Sequence, residues 1–465
     1  MRRSDALQAG VAAAACAIVA LPMLVLPHPA VIAAGAILPL AAWLAMRIPF
    51  PLCLGFVIFS FFRIHEAFPF LMPFRIPQLL AIPTLGVLAW QIFGSRRIQP
   101  FWSRELTWFA VFFLLVTIGV VTATSRPTAL AYWTGTYVKI AVMVLAIAWM
   151  TSEPRHFQIA SRAFIFAGLA VSYVTLYNKA NGIGLVEGTR VTIGRDMQSV
   201  LGDPNDLSLV LLFPMAFAVS QATTKGTPLL WRLIGLVSVA VILSAIIATQ
   251  SRGGLLGSVT VFSVFGARMI KSKALLLMIA LIGGMALFAA AGISGRSSGG
   301  AAEDGIDESS MGRLHAWGAA INMAVRRPLT GVGLDNFVGN YYLYSAFWDG
   351  KNHAVHSTWF GVLGETGLPG LIVFVTMIVL MARSALSASR KLDADPNAHP
   401  AARAMGRAVI AGLAGFCVSA TFLTQGFTWP VYIQLALTVA ISRYANHLSQ
   451  PANQSAQAPA PIINK

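Results

Sequence analysis

The stretch "LLWRLIGLVSVAVILSAIIATQSRGG", residues 229–254, decides the fold class. After Arg232 it runs to Thr249 without a charged residue. That length crosses the roughly 30 Å hydrocarbon layer of a bilayer as one helix. Gln250, Ser251 and Arg252 follow, and a second apolar run begins at once with Gly253. Two spans joined almost without a loop place Arg252 at one membrane face.

Working outward, similar windows recur along the chain. The spans read as 7–26, 29–47, 50–62, 77–94, 106–123, 131–150, 158–177, 206–222, 231–249, 253–269, 274–293, 357–382, 404–424 and 428–447, with 50–62 the shortest. The expected fold is all-α: a polytopic transmembrane helical bundle of about 12–14 spans with a long external loop. Composition agrees. Of 465 residues, 57% are hydrophobic and 11% charged, with mean hydropathy +0.71, against about 25% charged in soluble domains. The alternation of a membrane β-barrel is absent. The first span follows Met1-Arg2-Arg3 and is succeeded within a few residues by a second, so it reads as a retained signal-anchor.

The net charge is +16. The basic residues sit in short loops such as "GSRRIQPFWSR", "TSEPRH", "TKGTPLLWR" and "ARMIKSK", on the side of the N-terminus. By the positive-inside rule that side is cytoplasmic, and an even span count puts the C-terminus there too. Charge of this kind needs no nucleic-acid partner, and no nucleic-acid motif accompanies it. Cys16, Cys53 and Cys417 lie in apolar runs, without CxxC or metal-ligand spacing. Phosphate loops, GxSxG, HExxH and EF-hand signatures are missing from the sequence, so many familiar energy-coupled and hydrolytic chemistries lack support.

The opposite face carries two long loops, 178–205 and 294–356. Within the second, 294–310 is Gly/Ser/acid-rich and reads as flexible. Residues 311–327, "MGRLHAWGAAINMAVRR", read as an amphipathic helix along the outer membrane surface, offering Arg313 and His315 as supporting polar groups. Pro328 ends it.

Polar residues collect at the external span ends. Arg252 is followed by two glycines that let a ligand approach the backbone. An arginine fork matches phosphate oxygens; interfacial snorkelling is the alternative. Arg190 and Arg195 share the 178–205 loop, and nothing local chooses between them. "GDPNDLSL" places Asp203, Asn205 and Asp206 at a helix start, where Asn205 or Asp206 caps the helix or meets substrate. His356 precedes Ser357 and Thr358 at the start of another span. A helix N-terminus and a nearby arginine both keep an imidazole neutral, as a general base requires. Glu365, deeper in that span, is expected to pair with a basic group. Gly361, Gly364, Gly367 and Gly370 recur at three-residue spacing, which favours close helix packing.

His356-Ser357, nine residues, Gly367, two residues and Gly370 resemble the H-[NSQ]-x9-G-x-x-G pattern of the bacterial O-antigen ligase family. Arg252-Gly-Gly-Leu-Leu256 is similar to its R-x3-L element. "GDPNDLSL" and "GRLHAWGAAINMAVRRPLTGVGLDNF" look like segments shared with O-antigen polymerases and O-oligosaccharyltransferases. The resemblance covers roughly 185–380. It divides the chain into N-terminal helices 1–177, a ligase-like core 178–382, C-terminal helices 383–447 and a disordered cytoplasmic tail 448–465.

The resemblance implies a membrane glycosyltransferase of the bacterial inner membrane, working on the periplasmic face among membrane lipids. It implies an undecaprenyl-pyrophosphate-linked glycan as donor and an acceptor hydroxyl on lipid A-core or another surface polysaccharide. His356 would be the catalytic base, and Arg252 with Arg190 or Arg195 would hold pyrophosphate, in a metal-independent inverting displacement. A polymerase or a protein O-oligosaccharyltransferase of the same superfamily is the alternative. A transporter or lipid flippase fits less well, because such proteins place charge at the bilayer midplane.

Overall fold

The computed structural model describes residues 43–197, 199–292 and 310–448. The expected span 7–26, nearly all of 29–47, the flexible stretch 294–310 up to its last residue and the tail beyond Leu448 lie outside them.

The helices are α1 (Pro49–Phe61), α2 (Ile76–Gly94), α3 (Arg104–Thr122), α4 (Arg126–Met150), α5 (Pro154–Ala180), α6 (Pro204–Thr223), α7 (Leu229–Thr249), α8 (Arg252–Gly266) and α9 (Lys273–Ala290). They continue with α10 (Ser310–Arg326), α11 (Phe337–Tyr344), α12 (Thr358–Ala394), α13 (Pro400–Phe422) and α14 (Trp429–Leu448). The 178–205 loop carries one antiparallel hairpin, β1 (Leu185–Val186) with β2 (Arg190–Val191). Among the described residues, nine helices are long and apolar enough to cross a membrane: α2 to α7, α9, α12 and α13. The expected spans 50–62, 253–269 and 428–447 are α1, α8 and α14, with α1 and α8 only 13 and 15 residues long. The chain is an all-α, multi-pass membrane protein.

Burial grades across the bundle. In α6, 83% of the apolar window is buried, whereas in α9 none is. A helix apolar all round belongs in a core or against lipid. α6 takes the first place, surrounded by α5, α7, α8 and α13, and α9 leaves Leu277, Leu281 and Met285 open for bilayer contact. α8 crosses α13 on facing glycines. A Cβ on Gly257 would lie 3.2 Å from the Gly415 carbonyl, and one on Gly415 would lie 3.3 Å from the Gly257 carbonyl. Small residues allow that approach in a membrane bundle.

α6 starts where "GDPND" predicts, but Asp203 is the cap. Its Oδ1 accepts Asn205 N–H at 2.7 Å and Asp206 N–H at 3.2 Å. Pro204, with fixed φ and no N–H, sits at the first helical position, so the residue before it must cap. α8 starts under Ser251, whose Oγ accepts Gly254 N–H at 3.2 Å.

α12 breaks at Gly367, where φ is 70° and ψ −169°. The loop after α10 docks on the break. Leu368 N–H donates to Pro328 O at 2.9 Å, Val332 N–H to Gly364 O at 2.9 Å and Gly333 N–H to Glu365 O at 3.1 Å. Glu365 corrects the expectation of a basic partner: its carboxylate accepts Asp335 N–H at 3.0 Å and Phe337 N–H at 3.2 Å. The buried carboxylate takes one orphan N–H of α11, that of Phe337, and one from the loop before it, that of Asp335, in place of a side-chain cation. The glycine row divides too. Gly364 packs on Met323 and Phe337, while Gly367 marks the break.

α10 is amphipathic as expected. Its Ala316, Ala319, Ala320 and Met323 pack with Phe337, Tyr341 and Val355 in a second, smaller core. Leu314, Ile321 and Val325 stay open.

Candidate functional site

Three helix N-termini meet at one end of the bundle: those of α6, α8 and α12. The first turns of α8 and α6 touch, since a Cβ on Gly254 would lie 2.4 Å from Ser208 Oγ. α6 and α12 are joined through the non-helical connection 423–428 between α13 and α14. Thr358 Oγ1 donates to Leu423 O at 2.6 Å and accepts Gln425 N–H at 3.0 Å. The Gln425 amide donates to Asp206 Oδ1 at 2.6 Å, and its carbonyl accepts from Thr428 Oγ1. Below, Tyr432 OH donates to Gly426 O at 2.6 Å and Tyr132 OH to Phe427 O at 3.3 Å. The connection is thereby pinned from four helices, α4, α6, α12 and α14.

Arg190 is buried on β2. Its Nη2 donates to Asn205 Oδ1 at 2.8 Å and its Nε to Thr249 O at 3.3 Å, with Glu187 Oε1 4.0 Å from Nη1. It therefore fastens the hairpin to the start of α6 and the end of α7. Arg195, on a short 3-10 turn, is exposed. Arg252 is the first residue of α8 and is also exposed. The same loop is clamped from α1's side by Glu66, which accepts from Ser199 Oγ and pairs with Arg63 at 2.7 Å.

His356 stands one residue before the N-cap position of α12 with φ +45°, in the left-handed region. Non-glycine residues held there cost about 1–3 kcal/mol and persist only where neighbours enforce them. The enforcement is visible on both sides. Trp317 Nε1 donates to Val355 O at 3.2 Å while its ring stacks on Phe360. His353, buried, pairs with Asp349 at 2.9 Å and meets Tyr341 edge to face. That hydrogen bond holds the Asp349 carboxyl below the usual carboxylate range.

Helix N-termini carry partial positive charge and unsatisfied N–H groups. Three of them, with exposed Arg252 at the start of α8, make this end of the bundle attractive to an anion. The acids present are engaged: Asp203 in its cap and Asp206 with Gln425.

Of the residues singled out from sequence, Arg190, Asp203, Asn205, Arg252 and His356 come together through these helix starts. Arg195 remains on the adjoining loop. Glu365 is structural, at the break. His315 is stacked on Phe347, with ring centroids 4.1 Å apart, and shares α10 with Arg313. Gln425 and Trp317 were not singled out, and Thr358 was noted only at the start of its span. For Gln425 the available signal is a lone amide in the short "TQG" interruption between two apolar runs.

No curated protein matches the chain. Residues 237–375 match the family model described as O-Antigen ligase. The match runs from α7 to the middle of α12, under a third of the chain, and contains Arg252, Arg313, His315, His356 and Glu365. Over these residues the chain is similar to the O-antigen ligase family.

Proposed function

We propose that the chain is a glycosyltransferase that moves a glycan from undecaprenyl pyrophosphate to an acceptor hydroxyl, at the periplasmic face of the inner membrane. The observation that supports this reading is the meeting of the α6, α8 and α12 N-termini, with Arg252 the first residue of α8 and His356 just before the start of α12. The sidedness rests on the basic loops, which lie at the other end of the spans.

The donor pyrophosphate lies against Arg252 and Arg195, whose guanidinium groups are open to a ligand. Arg190 is a positioning residue, since its donors are spent on Asn205 and Thr249 O. His356 takes the proton from the acceptor hydroxyl. The acceptor oxygen bonds to the anomeric carbon as that carbon's bond to the pyrophosphate oxygen breaks, which inverts the centre. The lipid pyrophosphate departs with its new charge facing arginine and helix N–H groups, an arrangement that often supplies the largest share of catalysis.

The test is transfer by purified protein from a polyprenyl-pyrophosphate glycan, offered lipid A-core, donor alone, or a Ser/Thr-rich protein. Product on lipid A-core that falls about 10²–10⁴-fold in His356→Ala supports a ligase. Lengthened lipid-linked chains support a polymerase, and a glycosylated protein an O-oligosaccharyltransferase. Undiminished transfer in His356→Ala removes the proposed base. Arg252→Lys is also expected to be poor, because an ammonium cannot replace the bidentate fork.

A further inference from the structure

At the other end of the bundle lies a cleft of about 430 Å³ between the start of α3 and the ends of α12 and α14. Along α12 its lining residues Ser384 to Ala388 are roughly 40–45 Å of helix from the His356 end, a full bilayer away. The proposed transfer chemistry makes no use of it. Its volume falls in the range of about 300–1,000 Å³ of small-molecule sites.

Three kinds of group line it. The first is Glu105, only 7% exposed. Its hydrogen-bond partner is the Ser384 hydroxyl, and no basic side chain pairs with it among the described residues. The N-terminus of α3 stabilises the carboxylate, yet a buried acid facing a cleft favours a cation. The second is a cationic edge. Arg443 is laid on the Phe101 ring, its Cζ 3.9 Å from the centroid, with Nε directed to His447 Nε2 at 3.5 Å. The third is an aromatic rim, where Trp102 is 58% exposed, as side chains at a membrane–water boundary commonly are.

We propose that this cleft binds a phosphoethanolamine group, with the phosphate against Arg443 and His447 and the primary ammonium against Glu105. An anion-only ligand leaves Glu105 uncompensated, and a cation-only ligand meets Arg443. A group carrying both charges a few bonds apart satisfies both. The group comes from phosphatidylethanolamine in the surrounding bilayer or from the free molecule.

The experiment uses delipidated full-length protein and native mass spectrometry. Short-chain phosphatidylethanolamine, phosphatidylcholine and phosphatidylglycerol are titrated separately. One phosphatidylethanolamine is expected to be retained at least tenfold better than the other two. A trimethylated ammonium cannot donate to Glu105, and a glycerol headgroup has no cation to offer. Glu105→Gln should bring phosphatidylethanolamine down to the phosphatidylglycerol level. Arg443→Gln should weaken retention about tenfold. His447→Gln, at an exposed position, does the same more mildly and carries little risk to folding. Each variant is checked for a single elution peak and an unchanged unfolding temperature. Displacement of the lipid by equimolar free phosphoethanolamine identifies the soluble molecule as the source, and failure to displace identifies the lipid. Equal retention of phosphatidylethanolamine and phosphatidylcholine by the wild type, or unchanged retention in all three variants, overturns the proposal.

Discussion

Arg190 Nη2 donates to Asn205 Oδ1 across 2.8 Å, and by that bond the β1–β2 hairpin is tied to the start of α6, the most buried of the nine candidate spans among the described residues. Arg195, five residues on, is exposed. Two arginines that look alike in sequence therefore have separable roles. Breaking a buried bond to a charged group costs about 1.5–3 kcal/mol and leaves Asn205 and Thr249 O without a donor. Arg190→Gln is expected to lower both the unfolding temperature and the transfer rate. Arg195→Gln is expected to reduce transfer at least tenfold with the unfolding temperature unchanged. The check is thermal unfolding in detergent beside the transfer assay. Equal stability loss in both variants removes the division of roles.

His356 combines a strained backbone with a proposed chemical task. Glycine occupies φ +45° without steric cost, so His356→Gly releases about 1 kcal/mol of strain while deleting the base. The expected result is an unfolding temperature equal to or above wild type with transfer reduced about 10²–10⁴-fold. His356→Ala keeps the strain and serves as comparison. A glycine variant that is both less stable and inactive identifies the imidazole as a structural side chain.

The apolar windows were legible because each span is a local property: a run such as 231–249 crosses a bilayer whatever its neighbours do. The start of α6 was legible in place but not in its cap, which is Asp203 rather than Asn205 or Asp206. What the sequence left dark is non-local. Gln425 joins Asp206 to Thr358 over 219 and 67 residues of separation, and one amide between two spans gives no hint of it. Glu365 in an apolar run asks for a partner, and a basic side chain is the simplest guess. The partner is a set of backbone N–H groups, presented only because the loop 328–337 folds back on the break in α12. Arg190 and Arg195 differ in burial because a two-residue strand pairing turns one inward, too short a pattern for periodicity to reveal. The ligase resemblance singled out Arg252 and His356, and the helix starts bring those two to the same end of the bundle.

The break at Gly367 makes a further prediction. Its φ and ψ fall in a region essentially confined to glycine, and a Cβ there would lie 2.4 Å from Pro328 O. Gly367→Ala is expected to cost at least ~2 kcal/mol and to loosen the docked loop. The hydrogen bonds from Leu368, Val332 and Gly333 should lose protection in amide exchange, while α6 keeps its own. A variant with wild-type protection at these three amides shows that the loop is held by Glu365 alone.

The His353–Asp349 pair sets a pH dependence for the loop that carries His356. Asp349 has its folded pKa depressed by the His353 hydrogen bond. For a depressed carboxylate the contribution to stability is complete above the ordinary value of about 3.9 and is lost as pH falls through the lower folded value. Near neutral pH, Asp349→Asn should therefore raise the protease sensitivity of residues 345–356. Toward pH 2–3 the variant and the wild type should converge, because the wild-type carboxyl is then protonated as well. The measurement is limited proteolysis with an acid-tolerant protease across pH 2–7, reading cleavage in this segment alone. A constant difference at all pH values means that the amide fails for reasons of shape, and a difference that grows toward acid reverses the sign of the linkage. Because His353 is three residues from His356, the same variant should reduce transfer at pH 7. Restoring an acid with Asp349→Glu should recover part of it if reach rather than charge is the lesser requirement.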